Sequence, residues 1–441
     1  MTPTAPGSRP AGLDLAMLLL AALAANCGRP SAPPPAAAPG PAATTAGPRE
    51  TTEVSPEQLE QFRSLGYLST RGLPRLGAGQ GVKLLDRTLA SPGYTLVVFA
   101  GSCECQLLSL EGEVVRSWKD APCHRWEHAE LLPDGDLVVV GARLDESAVE
   151  DPTDSGRYLM RLSWNGDVLW RNEMNAHHDV SLTPDGSLLT LVLARRRIPA
   201  IDPDHDVADD QLTLLTPDGK VVESLSLYDL LAAAKFPFQQ AGGRREGGRQ
   251  IIDLLHCNAA RWNLYPELAV RGPLYGRDTV LVTSRHQDVI FIVDWKRREL
   301  VWHWGRGVLS GPHEASLTST GNILLFDNGL VRESSRVIEL DPASPATLRQ
   351  FAPRNSRFFD RVMGSCQRLP NGNTLIVHSE GGAAFELTPD GRPAWSYTGT
   401  EQTPDGHRVK LIRMRRIPPA AIERVLELHA SDASDAGAPA K

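Results

Sequence analysis

The sequence has no excess of positive charge and no apolar run long enough to cross a membrane. Its 46 Lys and Arg residues are outnumbered by 53 Asp and Glu residues, which gives a formal net charge of -7 over 441 residues. The basic residues are scattered rather than arranged in a stripe, so nucleic acid is not expected as a partner. The N-terminal apolar run Leu15–Ala25 has 11 residues, whereas a membrane-spanning helix needs about 20.

The N-terminal segment has the pattern of an export signal. Arg9 precedes the apolar run, whose length is typical of a signal-peptide core. The sequence Ala24-Ala25-Asn26-Cys27 resembles a lipid-attachment site, except that Asn26 is larger than the residue expected before the cleavage point. Residues 1–27 are therefore predicted to direct export. Three outcomes stay open: plain secretion, a retained anchor, or membrane attachment through a lipid on Cys27.

Composition and capping signals predict the other flanking segments. Residues 28–54 are rich in Pro and Ala and are predicted to be a disordered linker. Ser55-Pro56-Glu57-Gln58 supplies an N-cap, a first-turn proline and a capping-box glutamine, so a short helix and a lead-in segment are predicted over residues 55–79. Residues 419–441 are predicted to be a C-terminal tail, which is loose from Ala430 to Lys441.

Cysteine is scarce, with six residues in the chain. If the cysteine at the end of the signal peptide is lipidated or removed, an odd number remains and at least one thiol is free. Cys103 and Cys105 lie two residues apart on a predicted strand and face the same side, so one of them is expected to pair with Cys123. His124 and His128 would complete a metal site with these cysteines, but the spacing matches no strong zinc pattern, and a disulfide or a free thiol is favoured.

Between residues 80 and 418, short apolar strands alternate with turns built on Asp or Asn and Gly, which accept the positive φ of tight hairpins. In one series of turns, Gly135 and Gly186 are 51 residues apart, as are Gly321 and Gly372. An interleaved series has a spacing of 53 to 54 residues and includes Gly112, Gly166 and Gly219. Two hairpins in each period of about 50 residues correspond to four strands, which is typical of a propeller blade.

The sequence therefore predicts an all-β fold, namely a six-bladed β-propeller with four-stranded antiparallel blades over residues 80–418. The longer interval between Gly186 and Gly321 is assigned to two periods and an insertion at Ala241–Gly248. The last strand, Arg408–Arg413, has no hairpin partner of its own. It is expected to complete the first blade and to close the ring, which removes two sheet edges.

Histidines recur where the innermost strands are predicted to begin. These strands line the axial channel of a propeller, so residues at their starts converge on one mouth. His178 and His313 each lie eight residues before the turn glycine of their repeat, as does Gly364, and His128 lies seven before its glycine. With His256, which opens the fourth blade, four histidines are predicted at or near one axial site. Any single histidine in such a place more often serves a nearby carbonyl.

Metal binding is the weaker interpretation of the polar residues in this region. His124 and His128 have a spacing that chelates metal on a helix, but they lead into a strand, where the two rings do not converge in the same way. Asp202, Asp204 and Asp206 resemble part of a calcium loop that lacks its glycine and its distal glutamate. No metal site and no cofactor are therefore predicted.

Several motifs resemble those of the bacterial aryl-sulfate sulfotransferases, mainly over residues 175–416 and only in general pattern before that. The motifs are His177-His178-Asp179, His256-x-Asn258, Thr283-Ser284-Arg285-His286, Val301-Trp302-x-Trp304-Gly305, Phe326-Asp327-Asn328-Gly329, Ser335-Arg336 and Gln367-Arg368-Leu369-Pro370-Asn371-Gly372-Asn373-Thr374. The resemblance implies a six-bladed propeller exported to the periplasm or cell envelope. It also implies transfer of a sulfuryl group from a phenolic sulfate to a phenol through a sulfated histidine, without a nucleotide sulfate donor.

The resemblance implies catalytic roles for His256, His313 and Arg332. A neutral imidazole attacks sulfur, an arginine stabilises the sulfuryl oxygens, and a second histidine protonates the departing phenolate. Arg336, four residues further on, is the alternative arginine. The residues predicted to bind substrate are His178, Asn258, Arg285 and Arg336.

The last blade departs from the pattern of the resembled family, whose sulfated histidine lies in the loop after this Asn-Thr-Leu strand. Here the only histidine in that region is His378, several residues early. One hypothesis is a sulfotransferase with His378 or His313 as nucleophile, Arg332 as oxyanion clamp and His256 as acid and base. The other is a propeller that binds an anionic aromatic molecule, a glycan or a protein in the same mouth without turnover, because a fold does not determine a function. The enzyme is favoured.

Overall fold

A computed structural model describes residues 81–121, 123–143, 156–239, 243–246, 249–345, 348–351, 358–399 and 410–435. The predictions for the signal peptide, Cys27, the linker, the N-terminal helix and residues 436–441 fall outside these residues. Within the described part of the chain, no helix is long and apolar enough to cross a membrane.

The described strands form six sheets, which confirms the predicted six-bladed propeller. With strands numbered along the chain and given from the channel outward, blade 1 contains β27 (Leu411–Ile417), β2 (Tyr94–Phe99), β3 (Glu104–Leu108) and β4 (Val114–Lys119). Blade 2 contains β5 (Arg125–Leu131), β6 (Leu137–Ala142), β7 (Arg157–Leu162) and β8 (Val168–Glu173). Blade 3 contains β9 (Ala176–Leu182), β10 (Leu188–Arg197), β11 (Asp206–Leu215) and β12 (Val221–Ser226).

The second half of the ring repeats this order. Blade 4 contains β15 (Cys257–Trp262), β16 (Thr279–Ser284), β17 (Val289–Asp294) and β18 (Glu299–Trp304). Blade 5 contains β19 (Pro312–Leu317), β20 (Ile323–Asp327), β21 (Arg336–Leu340) and β22 (Leu348–Phe351). Blade 6 contains β23 (Ser365–Arg368), β24 (Thr374–His378), β25 (Ala383–Leu387), β26 (Pro393–Thr398) and, as a fifth strand, β1 (Gly81–Leu85). Innermost strands of neighbouring blades contact one another around the channel.

Two strand pairs close the ring. β27 pairs with β2 from Tyr94 and Ile417 to Phe99 and Leu411, as predicted for the last strand, although this strand extends to Ile417 and not only to Arg413. β1 pairs with the outer strand β26 and covers the edge of blade 6. Strands from the two ends of the described chain thereby complete blades 1 and 6 and hold both ends to the ring.

The insertion predicted between blades 3 and 4 adds a hairpin to blade 3. Strands β13 (Gly243–Glu246) and β14 (Arg249–Asp253) pair with each other, and β14 also pairs in parallel with β11. Before them lies helix α1 (Leu227–Ala233), where the N-cap Ser226 accepts a hydrogen bond from the backbone N–H of Asp229. Because Asp253 ends β14 next to the start of blade 4, the insertion brings it to the channel mouth.

Glycine is required at the hairpin turns that define the repeat. Gly186 connects β9 to β10 with φ 83°, and Gly219 connects β11 to β12 with φ 83°. A Cβ atom at Gly219 would also lie 2.8 Å from the indole of Trp170 in blade 2. Both the backbone conformation and the approach of the neighbouring blade therefore favour glycine here.

Helix α2 (Pro419–Asp435) follows β27, where the sequence predicted a tail. Ile422 and Val425 of this helix are buried in one cluster with Trp118 and Trp164 of blades 1 and 2. The His429 ring stacks on Trp164, with 5.7 Å between the ring centroids. Burial of this apolar face against the propeller stabilises a segment whose composition alone did not predict a helix.

A disulfide joins Cys103 and Cys123, with 6.0 Å between their Cα atoms. It ties the start of β3 in blade 1 to the segment before β5 in blade 2, which confirms one of the two predicted pairings. The described free thiols are buried and belong to Cys105, Cys257 and Cys366. Burial raises the pKa of each of these thiols, so they are not reactive thiolates at neutral pH.

Candidate active site at the channel mouth

Innermost strands of several blades place polar residues in two layers, because a β-bulge near the start of the strand turns neighbouring side chains apart. Bulges interrupt the pairing of β5, β9, β15 and β19. His178 contacts other histidines at the mouth, while the next residue, Asp179, bonds to arginines deeper in the channel. His313 and Glu314 repeat this arrangement in blade 5.

Blades 3 and 4 contribute a group of adjacent imidazoles to the mouth. The ring centroids of His178 and His256 are 5.0 Å apart, and those of His256 and His286 are 4.5 Å apart. His177 adjoins the group, since its Nδ1 lies 2.9 Å from Nδ1 of His178. His178 and His256 have left-handed backbone conformations, with φ of 59° and 47°. Non-glycine residues persist there only when the surroundings hold them.

Asp253 contacts two of these rings. Its Oδ2 lies 2.7 Å from Nδ1 of His256, and its backbone oxygen lies 2.7 Å from Nδ1 of His286. The other ring nitrogen of His286, Nε2, accepts from Arg285 at 3.0 Å. Both nitrogens of His286 are thus engaged, and burial lowers the pKa of this ring.

His313 belongs to the same mouth from blade 5. Its Nδ1 lies 2.7 Å from Oδ1 of Asn328 and 3.0 Å from the backbone oxygen of Gly311. The amide of Asn328 is oriented by its Nδ2, which donates to the backbone oxygens of Asp360 and Met363. Burial lowers the pKa of His313 to about 3, with smaller contributions in the same direction from the positive charges of Arg285 and His256.

His256, His286 and His313 share one tautomer when neutral. In each ring Nδ1 faces an oxygen that can only accept, so Nδ1 carries the proton and Nε2 keeps its lone pair. Arg285 occupies Nε2 of His286. Across the described residues, Nε2 of His256 and of His313 has no hydrogen-bond partner, so these two rings can offer a nitrogen to a substrate.

The three predicted arginines lie in different surroundings. Arg285 is half-buried beside His286, and its charge acts on His313. Arg332 bonds to Asp327 at 2.9 Å with a third of its side chain exposed, and Arg336 bonds to the same carboxylate at 2.8 Å. Arg336 also donates to Gln350 and to the backbone oxygen of Val308. Arg285 is therefore the one among them that the contacts place with the histidines.

Two further predicted residues lie outside this group. His378 ends β24, the second strand of blade 6, where its Nδ1 lies 3.0 Å from Asp360 and its ring packs on Phe358. A chain of hydrogen bonds through Asp360 and Asn328 links it to His313. Asn258 is buried, and its Nδ2 donates to the backbone oxygen of Pro312, which joins blades 4 and 5.

The expected equivalence of His128 with the mouth histidines is wrong. Glu127, not His128, lies eight residues before Gly135, and its Oε2 accepts from the backbone N–H of His178 at 2.8 Å. The Glu127 carboxylate also pairs with Arg125 and Arg157. Counting from the turn glycine would have found Glu127. No spacing rule pointed to Asp253, because it lies in the insertion, outside the repeat.

His128 belongs to the deeper layer, in which charged residues from several blades cross the channel. Asp179 bonds to Arg413 at 2.8 Å and to Arg261 at 3.0 Å, and Arg261 also bonds to Glu314 at 2.8 Å. Arg413 contacts the ring of His128, and burial holds the pKa of His128 well below its usual value. Beyond this layer, a cavity of 520 Å³ opens between the far ends of the innermost strands.

One group of described residues approaches the composition of a metal site. Asp253, His256 and His286 each offer one ligand atom, and these atoms lie within 4.8 Å of one another. Ligand atoms around a tetrahedral zinc ion are about 3.4 Å apart, given bonds of about 2.1 Å. Nδ1 of both rings is bonded to oxygens of Asp253, so coordination of a metal through Nδ1 would break these hydrogen bonds.

Comparison with known proteins identifies one family. The model of the family described as "Arylsulfotransferase (ASST)" matches residues 153–400, which include all the mouth histidines. A search of the curated proteins finds no match.

Among solved structures, the chain is similar to a protein of unknown function from Bacteroides caccae, with 12% identity, TM-score 0.46, and coverage of 73% of this chain and 100% of that one. It is also similar to a chain of the nidogen/laminin complex, with 11% identity, TM-score 0.45, and coverage of 73% and 97%. A third is virginiamycin B lyase from Staphylococcus aureus, with 9% identity, TM-score 0.40, and coverage of 72% and 88%. At these identities and TM-scores, none of the three bears on what this chain does.

Proposed function

The chain belongs to the arylsulfotransferase family, and we propose that it is an exported enzyme that transfers a sulfuryl group from a phenolic sulfate ester to a phenol. One observation carries the proposal: His256 and His313 share a mouth with Arg285, and each has Nδ1 bonded to oxygen and Nε2 available. Two nitrogens and one guanidinium are the groups that a two-step sulfuryl transfer needs.

His313 is proposed as the nucleophile. With its pKa lowered to about 3 by burial, the ring is neutral at any physiological pH and cannot serve as a general acid. Its Nε2 lone pair attacks sulfur, the bond from sulfur to the phenolic oxygen breaks, and the ring becomes a sulfated imidazolium. Asn328 Oδ1 and the carbonyl of Gly311 accept from Nδ1–H and stabilise the positive charge that forms.

His256 is proposed as the acid and base, and Arg285 as the clamp on the sulfuryl oxygens. Protonated His256 gives its Nε2 proton to the departing phenolate and becomes neutral. In the second half-reaction its Nε2 takes the proton of the acceptor phenol, whose oxygen attacks sulfur as His313 leaves. Arg285 supplies a planar set of N–H donors next to the ring that carries the sulfuryl group.

His378 and Arg332, the other predicted catalytic residues, are proposed in supporting roles. His378 is bonded to Asp360, which connects to His313 through Asn328. Arg332 is bonded to Asp327, with a third of its side chain exposed. If either contacts the sulfuryl group directly, its removal will cost as much activity as the loss of His313.

The test is incubation of the purified protein with 4-nitrophenyl sulfate and an acceptor phenol. We expect nitrophenolate release and, without acceptor, a mass gain of one sulfuryl group that maps to His313. The variant His313→Asn is expected to lose both signals, while the exposed matched control His124→Asn keeps both. Retention of the label in His313→Asn together with its loss in His378→Asn would move the nucleophile to blade 6. Ligand binding without release or label would instead support a non-catalytic propeller.

Export is tested separately by cell fractionation of the full-length chain. The envelope or periplasmic fraction is expected to contain the protein, and its retention in the cytoplasm would refute this part of the proposal. Labelling of Cys27 with a fatty-acid analogue distinguishes a lipid anchor from secretion.

A further inference from the structure

We propose that Asp253 is a positioning residue that aims Nε2 of His256 at the substrate and equips this ring, unlike His313, to gain and release a proton. The inference rests on the proposed function of the mouth, and it adds a residue outside the propeller repeat to that site. Asp253 is buried, with 6% of its side chain exposed, and its Oδ2 lies 2.7 Å from Nδ1 of His256.

Asp253 acts on two rings through two different groups. Its carboxylate bonds to His256, whereas its backbone oxygen bonds to His286 at 2.7 Å. The nearest carboxylate oxygen, Oδ1, is 3.9 Å from Nδ1 of His286, beyond hydrogen-bond distance. A substitution of the Asp253 side chain therefore removes the partner of His256 and leaves the backbone partner of His286 in place.

The backbone around His256 is held independently of this carboxylate. The carbonyl of Leu254 accepts from Gln287 Nε2 at 2.7 Å, and the carbonyl of Leu255 accepts from Ser284 Oγ at 2.6 Å. The backbone N–H of Arg285 donates to the carbonyl of His256 at 3.2 Å. These bonds hold His256 in its left-handed conformation, with φ of 47°. Loss of the carboxylate is therefore expected to change the orientation of the His256 ring but not its backbone conformation.

The partners of the mouth histidines differ in charge. Nδ1 of His313 and of His286 faces neutral oxygens, whereas Nδ1 of His256 faces a carboxylate. A carboxylate offsets the positive charge of an imidazolium more strongly than an amide or carbonyl oxygen does. The carboxylate also selects the tautomer with its lone pair on Nε2. The difference in partner charge distinguishes the acid and base, His256, from the nucleophile, His313.

The position of Asp253 depends on the insertion. Asp253 is the last residue of β14, which pairs in parallel with β11 through Ala208 and Asp253. The hairpin of β13 and β14 thus extends blade 3 and delivers a carboxylate to a ring of blade 4. Removal of the hairpin would leave the propeller repeat intact and deprive His256 of its partner.

The kinetic test compares two donors in Asp253→Asn, with Asp204→Asn as the exposed matched control. Phenyl sulfate releases a basic phenolate that needs a proton, whereas 4-nitrophenyl sulfate releases a stable anion. We expect Asp253→Asn to lower kcat for phenyl sulfate by about 100-fold or more, while KM stays within about twofold of the wild-type value. The single-turnover rate of nitrophenolate release from 4-nitrophenyl sulfate should fall much less. Equal losses with both donors, or full activity with phenyl sulfate, would overturn the proposal.

A second measurement does not need turnover. The ring ¹⁵N NMR signals of His256, assigned from their absence in His256→Gln, report which nitrogen carries the proton. When its ring is neutral, wild-type His256 is expected to show the Nδ1–H tautomer, and Asp253→Ala is expected to lose this preference while the signals of His313 stay unchanged. An unchanged His256 tautomer in Asp253→Ala refutes the role of Asp253. Absence of turnover in the wild type refutes the proposed function and leaves this result standing.

Discussion

Substitution of His313 by Asn is expected to make the stability of the protein less sensitive to acid. Burial keeps His313 neutral in the folded state by lowering its pKa from 6.5 to about 3. In the unfolded chain the same ring takes up a proton below about pH 6.5. Because the unfolded state binds more protons in this window, the free energy of unfolding falls as the pH falls from about 6.5 toward 3.

The magnitude follows from the width of that window. Each pH unit below the unfolded pKa costs about 1.4 kcal/mol per buried neutral histidine. From pH 7.5 to pH 4.5, His313 alone accounts for roughly 2–3 kcal/mol of lost stability. His178 and His128, whose pKa values burial also holds well below the usual range, act in the same direction. In His313→Asn, the Asn side-chain amide can still donate to Asn328 but does not titrate, so this contribution disappears.

The assay is guanidinium unfolding followed by tryptophan fluorescence at pH 7.5 and pH 4.5. We expect the wild type to lose about 2–3 kcal/mol more than His313→Asn between the two pH values. The exposed control His124→Asn should follow the wild type. Parallel losses in the wild type and in His313→Asn would refute the claim that His313 is held neutral by burial.

Two further predictions concern the parts that support the mouth. Asp179→Asn is expected to lower the free energy of unfolding by about 3 kcal/mol, because Arg261 and Arg413 lose their shared buried carboxylate. The exposed control Asp134→Asn should change the free energy of unfolding by less than about 1 kcal/mol. Similar losses in both variants would refute the claim that the buried ion pairs of Asp179 stabilise the channel. Cys103→Ser removes a disulfide between residues 20 positions apart and is expected to lower the free energy of unfolding by about 3 kcal/mol. The measurement is the denaturant midpoint, which should be lower than in the wild type and should no longer change on addition of dithiothreitol. A further decrease with dithiothreitol would indicate another disulfide.

The mouth histidines were predictable as far as they follow the repeat. The spacing from the turn glycines correctly paired His178 with His313, because residues at one position in successive blades occupy one level of the channel. His128 lies seven residues before its turn glycine rather than eight, and treating it as equivalent wrongly assigned it to the mouth. A shift of one residue at a β-bulge moves a side chain from the mouth to the buried ionic layer, where Arg413 and Asp179 surround it.

The distribution of the arginines could not be predicted from spacing. Arg332 and Arg336 lie close together in sequence and share Asp327, whereas Arg285 follows a strand of another blade. Only the arrangement of the blades shows that Arg285 is close enough to His313 to lower its pKa. The motif resemblance identified these arginines as candidates, whereas contacts between residues far apart in the sequence show which of them lies with the histidines.

The sequence by itself determined the class of fold, the number of blades, the closing strand and the family. The first three depend on local signals that repeat along the chain, namely turn glycines with positive φ and short apolar strands, and the family depends on motifs that are read directly from the sequence. The tertiary structure alone decided which nitrogen of each histidine is available, that Asp253 from the insertion bonds to His256, and that charged residues cross the channel below the mouth. These features depend on side chains from different blades meeting across the channel axis, and no spacing within one blade encodes such contacts.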